Sequence, residues 1–388
     1  MLDPTAAAPP QFSLDDEQVA LRDTARAFAD EIFAPNAIAW DEAKHFPVAE
    51  MRKAAALGMG GIYVAEDAGG SGLSRLAAAL IFEALSTGCP TVAAYMSIHN
   101  MVAWMIDAYG TEEQRRAWLP ALCRMEQFAS YCLTEPDAGS DAAALKTRAW
   151  REGDHYVLDG QKLFISGAGE SGLYVVMART GGEGAAGIST LLVPGDAPGI
   201  SFGASERKMG WNAQPTRAVN FADVRVPAAN RLGAEGLGFK IAMAGLDGGR
   251  LNIAACSLGG AQAALEKSLR YAKERKAFGK RLDEFQALQF RLADMATELE
   301  ASRTFLWRAA AALDRGEPNA TVLCAMAKRF VTDACFDIAN QALQLHGGYG
   351  YLVEFGIEKI VRDLRVHQIL EGTNEIMRLI VARSLVGR

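Results

Sequence analysis

Apolar positions recur at helical spacing in the first third of the chain, alternate over short runs in the middle, and return to helical spacing in the last third. Leu21, Ala25, Phe28 and Ile32 mark the inner face of an opening helix. Ser13 with Asp16 makes a capping-box-like start for it, and Pro35 ends it. Leu76, Leu80 and Leu85, then Met101, Met105 and Tyr109, predict further helices, connected through the flexible loop Gly69-Gly70-Ser71-Gly72. After about Phe128 the period shortens. Residues 156–158 and 161–166, on either side of Asp159-Gly160, read as a hairpin. Runs at 173–178, 188–193, 200–202, 218–221 and 224–226, punctuated by Gly and Pro, predict more short strands of an antiparallel unit. From about Gly236 the helical period returns. Leu288, Leu292, Met295, Leu299, Leu306 and Leu313 follow steps of four and three, with Ser302 and Ala309 in the gaps, which is a bundle seam. Helices near 250–275, 285–314, 318–345 and from about 374 complete an antiparallel bundle. The pattern predicts an α+β chain: an N-terminal α-helical domain at 12–128, a middle antiparallel β domain at 129–236 and a C-terminal four-helix bundle at 237–388.

Composition narrows the classes. Half of the 388 residues are hydrophobic, enough for a large core. The net charge of −6 comes without a Lys/Arg block, which argues against nucleic acid. The best membrane candidate, residues 76–85, is short and broken by Glu83, so no membrane span is expected. Residues 1–10 are rich in Ala and Pro, lack a signal-peptide layout and read as a disordered tail. The six cysteines form no Cys-x-x-Cys pair and read as reduced core residues. The five histidines show no ligand spacing, so no metal is expected.

The densest candidate chemistry lies at residues 344–375. Glycines at 347, 348 and 350 allow a backbone to approach a ligand closely. Glu371 then precedes a helix start at which Thr373 is the N-cap. A carboxylate beside oriented N–H donors is suited to removing a proton next to a carbonyl. A solvated Glu in a loop satisfies the same pattern. Elsewhere, Gly167-Ala168-Gly169-Glu170-Ser171-Gly172 matches the dinucleotide fingerprint G-x-G-x-x-G. That fingerprint needs a helix after it, whereas Leu173-Tyr174-Val175-Val176-Met177 reads as a strand, so the match is taken as a turn.

Several segments together resemble one family. They are Tyr131-Cys132-Leu133-Thr134-Glu135-Pro136-Asp137-Ala138-Gly139-Ser140-Asp141; Gly160-Gln161-Lys162 with Phe164-Ile165-Ser166; Arg275-Lys276-Ala277-Phe278-Gly279; Gln344-Leu345-His346-Gly347-Gly348-Tyr349-Gly350; and Arg362-Asp363 leading to Glu371-Gly372-Thr373. In this order and spacing, over residues 12–388, the chain resembles the acyl-CoA dehydrogenases. Ile165-Ser166-Gly167-Ala168-Gly169-Glu170-Ser171, residues 210–217, Asp247-Gly248-Gly249-Arg250 and residues 367–375 resemble the branch acting on isobutyryl-CoA.

The resemblance implies α,β-dehydrogenation of a short branched acyl-CoA, isobutyryl-CoA in valine breakdown, with FAD as cofactor and electron-transfer flavoprotein as acceptor. It makes Glu371 the base, by side chain, and an oxyanion donor, by backbone N–H. Some relatives carry the base on an earlier helix, at the position of Gly249. For FAD it points to Tyr131, Leu133, Thr134, Gly139, Ser140, Phe164, Ile165 and Ser166 on one side. Arg275, Phe278, Gln286, Gln344, Gly347 and Gly348 match the adenosine and pyrophosphate end, with Thr373 and Glu375 beyond the base. Local capping is the alternative role for Thr134 and Ser140, and a solvated basic run for Arg275, while Thr373 and Glu375 can cap the helix as well as contact the flavin. For substrate it points to Ser140, Asp247, Arg250 and Arg383, although Arg250 also suits a structural salt bridge. Phe164 stands where many relatives have Trp, Leu370 where Tyr is common, and His346 where Tyr or Phe is common; His346 is expected to be packed and hydrogen-bonded. The family is usually tetrameric, and the expected location is a bacterial cytoplasm, or the mitochondrial matrix for a eukaryotic chain. A short-chain or 2-methylbutyryl-CoA dehydrogenase, an oxidase or flavin monooxygenase, and a non-catalytic flavin-binding assembly protein are the alternatives on the same fold.

Overall fold

A computed structural model describes residues 13–387; the expected tail at 1–10 lies outside them. The described residues open with six α-helices: α1 (Asp16–Phe28), α2 (Ala37–Ala43), α3 (Val48–Ala55), α4 (Arg75–Gly88), α5 (Pro90–Tyr109) and α6 (Glu112–Cys123). Strands β1 (Ala129–Cys132), β2 (Arg148–Glu152), β3 (His155–Ser166), β4 (Leu173–Arg179), β5 (Ile188–Pro194), β6 (Ile200–Phe202), β7 (Thr216–Pro227) and β8 (Arg231–Leu232) follow. The last part holds α7 (Gly238–Glu274), the two-residue strands β9 (Lys276–Ala277) and β10 (Lys280–Arg281), α8 (Gln286–Asp314), α9 (Ala320–His346), α10 (Ile357–Arg365) and α11 (Asn374–Leu385). Among the described residues no helix is long and apolar enough to cross a membrane.

The helical start differs from the expected one. Asp15, not Ser13, caps α1: its carboxylate accepts from Gln18 N at 2.8 Å, and the Gln18 side chain accepts from Asp15 N at 3.2 Å. α4 and α5 are apolar on nearly every face, as central helices must be, and they pack against α7. The start of α4 is capped from the far end of α8, where the Asp314 carboxylate accepts from Arg75 N and Leu76 N.

The sheet runs β6-β7-β3-β2-β4-β5-β8, with β1 beside β4. It is mostly antiparallel, but β1 pairs β4 in parallel, and β2 meets β4 in parallel at Arg148 and Arg179. The hairpin expected at Asp159-Gly160 is not there. β3 runs straight through those residues, and the tight turn lies earlier, between Glu152 of β2 and His155 of β3. Gly160 serves close approach instead, since a Cβ there would stand 2.6 Å from Thr147 Oγ1 and 2.7 Å from Thr147 Cα. The runs at 218–221 and 224–226 are likewise one strand, β7, with an irregularity opposite Leu158 and Gly160. A second shift between Lys162 and Ile165 puts an extra residue into β3. Phe164 sits at that bulge with φ 58°, its ring turned into the open and 62% exposed. The stretch Gly167 to Gly172 forms a turn between β3 and β4, as expected.

The helix expected from about 250 begins twelve residues earlier, at Gly238. Its glycines are points of close contact. A Cβ on Gly245 would meet Met105 Sδ at 3.0 Å, on Gly248 the Arg75 guanidinium at 2.4 Å, and on Gly259 the Glu83 carbonyl at 2.0 Å. α7 therefore lies close against α4 and α5, α8 and α9 also pack on it, and α11 packs on α9. The Arg362-Asp363 pair works in this packing. The Asp363 carboxylate, fully buried, accepts from Lys359 Nζ, Thr91 Oγ1 and Trp211 N, while Arg362 bonds Asp41 and Glu358.

Gly259→Ala should cost about 2 kcal/mol, because its methyl group meets backbone that cannot yield. Gly182→Ala, where nothing stands within 4 Å of the added carbon, should be neutral. Urea unfolding of the two variants checks both.

Candidate active site

The corner before α11 is built in a conformation most residues avoid. Glu371 has φ 54° and Gly372 φ 90°, both left-handed. Thr373 then caps α11, its Oγ1 accepting from Ile376 N at 3.3 Å. The glutamate must be held there by its surroundings. From α9 the fully buried Lys328 Nζ donates to Gly372 O at 2.8 Å and to Asn374 Oδ1 at 2.9 Å. Asn374 Nδ2 in turn donates to Asp333 Oδ1 at 2.7 Å and Thr332 Oγ1 at 3.0 Å.

The residue as a whole is partly exposed, yet both carboxylate oxygens of Glu371 are enclosed and have no hydrogen-bond partner. They lie against α7, where a Cβ on Gly249 would stand 2.3 Å from Oε2. A carboxylate projecting from position 249 would thus occupy the same space as the one projecting from 371. Burial pushes the Glu371 carboxyl up to about 7, against the pull of Lys328 and Arg250, which favour its ionised form. A carboxylate without partners and poised near neutrality is suited to taking a proton from bound substrate.

Two of the expected cofactor segments are knitted side by side. Leu163 N donates to Thr134 O at 2.9 Å, and Ser130 Oγ to Ser166 O at 2.6 Å. The buried Lys162 bonds Leu133 O at 3.0 Å and Glu135 Oε1 at 2.8 Å. Tyr131 reaches α7 through its hydroxyl, which donates to Ala242 O at 3.3 Å. Leu133 and Ile165 are buried, Thr134 and Ser166 half-buried, and Gly139 and Ser140 exposed.

A second set gathers elsewhere. Arg275, Gln344, Gly347 and Gly348 line an open cleft of about 370 Å³ together with Tyr271, His346 and Tyr349. Tyr131, Phe164 and Glu371 do not line it. The Arg275 guanidinium lies 5.4 Å from the centre of the Tyr349 ring. Nearby, Phe278 is 96% exposed and Gln286 opens α8. His346 is packed as expected, stacked on Tyr271 at 4.4 Å, with Nδ1 2.8 Å from Ala342 O.

The remaining candidates scatter. Arg250 and Asp247 pair with each other at 2.6 Å, and Thr321 Oγ1 donates to Asp247 Oδ2 at 2.6 Å. The structural salt bridge left open for Arg250 is therefore formed, although its buried Nε has no partner. Glu375 and Arg383 are exposed on α11. Among the described residues no group of three His, Cys, Asp or Glu side chains could hold a metal. Sequence reasoning missed Lys328, whose signal was a lone cation on the apolar face marked by Cys324, Ala327 and Val331. It also missed His367, which receives the Trp211 indole N–H at 3.2 Å and lies 2.7 Å from Ser257 Oγ, joining two of the motif segments.

Three family profiles match in order: "Acyl-CoA dehydrogenase, N-terminal domain" at 15–126, "middle domain" at 130–224 and "C-terminal domain" at 236–386. The isobutyryl-CoA dehydrogenase, mitochondrial, of Bos taurus is 57% identical, covering 97% of this chain and 91% of the relative. The isobutyryl-CoA dehydrogenase, mitochondrial, of Dictyostelium discoideum is 55% identical over the same shares. Among solved structures, the butyryl-CoA dehydrogenase of Megasphaera elsdenii superposes with a TM-score of 0.94 at 37% identity, covering 97% of this chain and 100% of the other.

Because the folded carboxyl of Glu371 titrates near 7 rather than 4.5, the fold is penalised wherever an unfolded Glu would ionise. The penalty is absent below about pH 4.5 and complete above about pH 7. Glu371→Gln should therefore stabilise the protein by about 3 kcal/mol at pH 8 and leave it unchanged at pH 4.5. Denaturant titrations at the two pH values check this.

Proposed function

We propose, from the premise that this chain belongs to the acyl-CoA dehydrogenase family, that it oxidises short branched acyl-CoA thioesters, isobutyryl-CoA to methacrylyl-CoA, with Glu371 as the base. It is an FAD-dependent enzyme by that membership. The relatives in cattle and slime mould, named for isobutyryl-CoA, support the substrate. The single observation that carries the chemistry is the enclosed, partnerless carboxylate of Glu371.

The residues present fit the cofactor. Gly139, Gly347 and Gly348 border open space, with nothing within 4 Å of where a Cβ would be. Phe164 offers an aromatic face to solvent from a bulge, and Arg275 supplies a fixed cation of the kind phosphates take. Tyr131, Leu133, Thr134, Gly139, Ser140, Phe164, Ile165 and Ser166 would hold one end of FAD. Arg275, Phe278, Gln286, Gln344, Gly347 and Gly348 would hold an adenosine end. That the two sets do not share the cleft fits contributions from two subunits of a homotetramer, with Thr373 and Glu375 near the base. When bound, FAD accepts the β-hydride.

Glu371 takes the α-proton onto a carboxylate oxygen. The C–H electron pair left at Cα becomes part of the new double bond as the β-hydride departs. The backbone N–H of Glu371 steadies the thioester oxygen as negative charge builds on it. Enclosure by α7 and the acyl chain excludes water, which keeps the base strong and the oriented dipoles effective. Ser140, Asp247, Arg250 and Arg383 are the candidates for the CoA side. Electrons then leave to an electron-transfer flavoprotein. The setting would be a bacterial cytoplasm, or the mitochondrial matrix in a eukaryote. A second reading, preference for butyryl- or 2-methylbutyryl-CoA, turns on Leu370, half-buried beside the base where an aromatic wall would narrow the acyl space.

Glu371→Gln should slow anaerobic flavin reduction by isobutyryl-CoA about 100- to 10,000-fold, as stopped-flow absorbance would record. Full turnover in that variant would refute the assignment. Leu370→Tyr should lower the ratio of isobutyryl-CoA to butyryl-CoA kcat/KM about tenfold. Initial rates across an acyl-CoA panel test this.

A further inference from the structure

We propose that Lys328 is a positioning residue for the base, acting in two ways through one ammonium group: it ties down the left-handed corner that carries Glu371, and it places a buried cation beside the carboxylate. The inference rests on the reading of Glu371 as the base and extends it to a residue on a different helix.

The geometry is specific. Lys328 is fully buried near the start of α9, where an ammonium is costly unless it is bonded. Its two acceptors, Gly372 O and Asn374 Oδ1, follow Glu371 in the chain by one and three residues. Gly372 has φ 90° and Glu371 φ 54°, so these bonds fall on the strained part of the loop. Asn374 carries the restraint back to α9 through Thr332 and Asp333, and Gln368 Nε2 also donates to Asp333, at 2.8 Å. A residue at 328 without a donor would leave Gly372 O without this partner and remove the restraint on the glutamate backbone.

The charge has a separate effect. The ionisable groups facing the Glu371 carboxylate are Lys328 from α9, Arg250 from α7, the Tyr63 and Tyr131 phenols and the Cys256 thiol. Arg75 lies farther along the same face of α7, against Gly248. Arg250 already has a carboxylate partner in Asp247, and Arg75 lies against the Tyr63 ring. Lys328 bonds only a carbonyl and an amide, so no carboxylate takes up its charge and it acts on Glu371 through space, with Arg250, Asp333, Glu375 and His367 as its other ionisable neighbours. Burial holds Lys328 itself down to about 8, and Glu371 is the first of the groups that oppose this.

The two effects separate experimentally. Lys328→Gln retains an N–H donor for Gly372 O and loses the charge; Lys328→Met loses both. The readout is the pH profile of kcat/KM for isobutyryl-CoA with FAD-loaded enzyme, whose acid limb reports the free base. In Lys328→Gln the limb should move up by about one pH unit while the plateau stays within about threefold of wild type. In Lys328→Met the limb should move equally and kcat at the plateau should fall about tenfold or more. A variant that only weakened the fold would lower activity without moving the limb. An unmoved limb in Lys328→Gln overturns the inference, and that variant decides the matter if the Met variant does not fold. Glu371→Gln measured alongside keeps the two readings apart: loss of activity there with an unmoved limb at Lys328→Gln sinks only the role of Lys328.

Discussion

An ionisable carboxylate kept dry and without partners is an expensive thing to build, and the rest of this structure is arranged around that cost. Glu371 is held in a left-handed backbone conformation, its oxygens pressed toward Gly249, with burial working against its charge and two cations working for it. Neither the strain nor the desolvation is recovered locally. Both are carried by the packing of α7 and α9, which are among the best-buried elements of the chain.

α7 makes the space. Its glycines replace side chains with neighbouring groups: Met105 at Gly245, the Arg75 guanidinium at Gly248, the Glu371 carboxylate at Gly249 and the Glu83 carbonyl at Gly259. One helix thereby fits α4 and α5 closely and leaves a side-chain-sized gap for a carboxylate that arrives from elsewhere in the chain. The bulge in β3 works in the opposite sense, pushing Phe164 outward beside the segment after β1 that carries Thr134. An aromatic ring set in the open on a rigid sheet is a surface made for a ligand.

Much of the fold was legible. The seam from Leu288 to Leu313 is an uninterrupted period, and α8 matches it closely because nothing in its packing contradicts local preference. The misses share a cause. Asp159-Gly160 looked like a turn, and the helix that holds Gly245 to Gly249 was expected only from near 250, because glycine reports freedom of the backbone without saying what uses it. In both places the use was a close approach by a residue distant in sequence, Thr147 in one and Arg75 and Glu371 in the other.

The chain's own order of residues was enough for the three-part architecture, the family resemblance and the helix start after Glu371, because periodicity, capping and a run of motif residues are local and additive. It was not enough for Lys328, the meeting of Trp211 with His367, the pairing of Arg250 with Asp247 and Thr321, or the division of the residues expected to hold FAD into two sets. Those depend on which buried groups come within reach of one another, and only the packing of helices far apart in sequence decides that: charge and hydrogen bonding act over ångströms in space, whatever the distance along the chain.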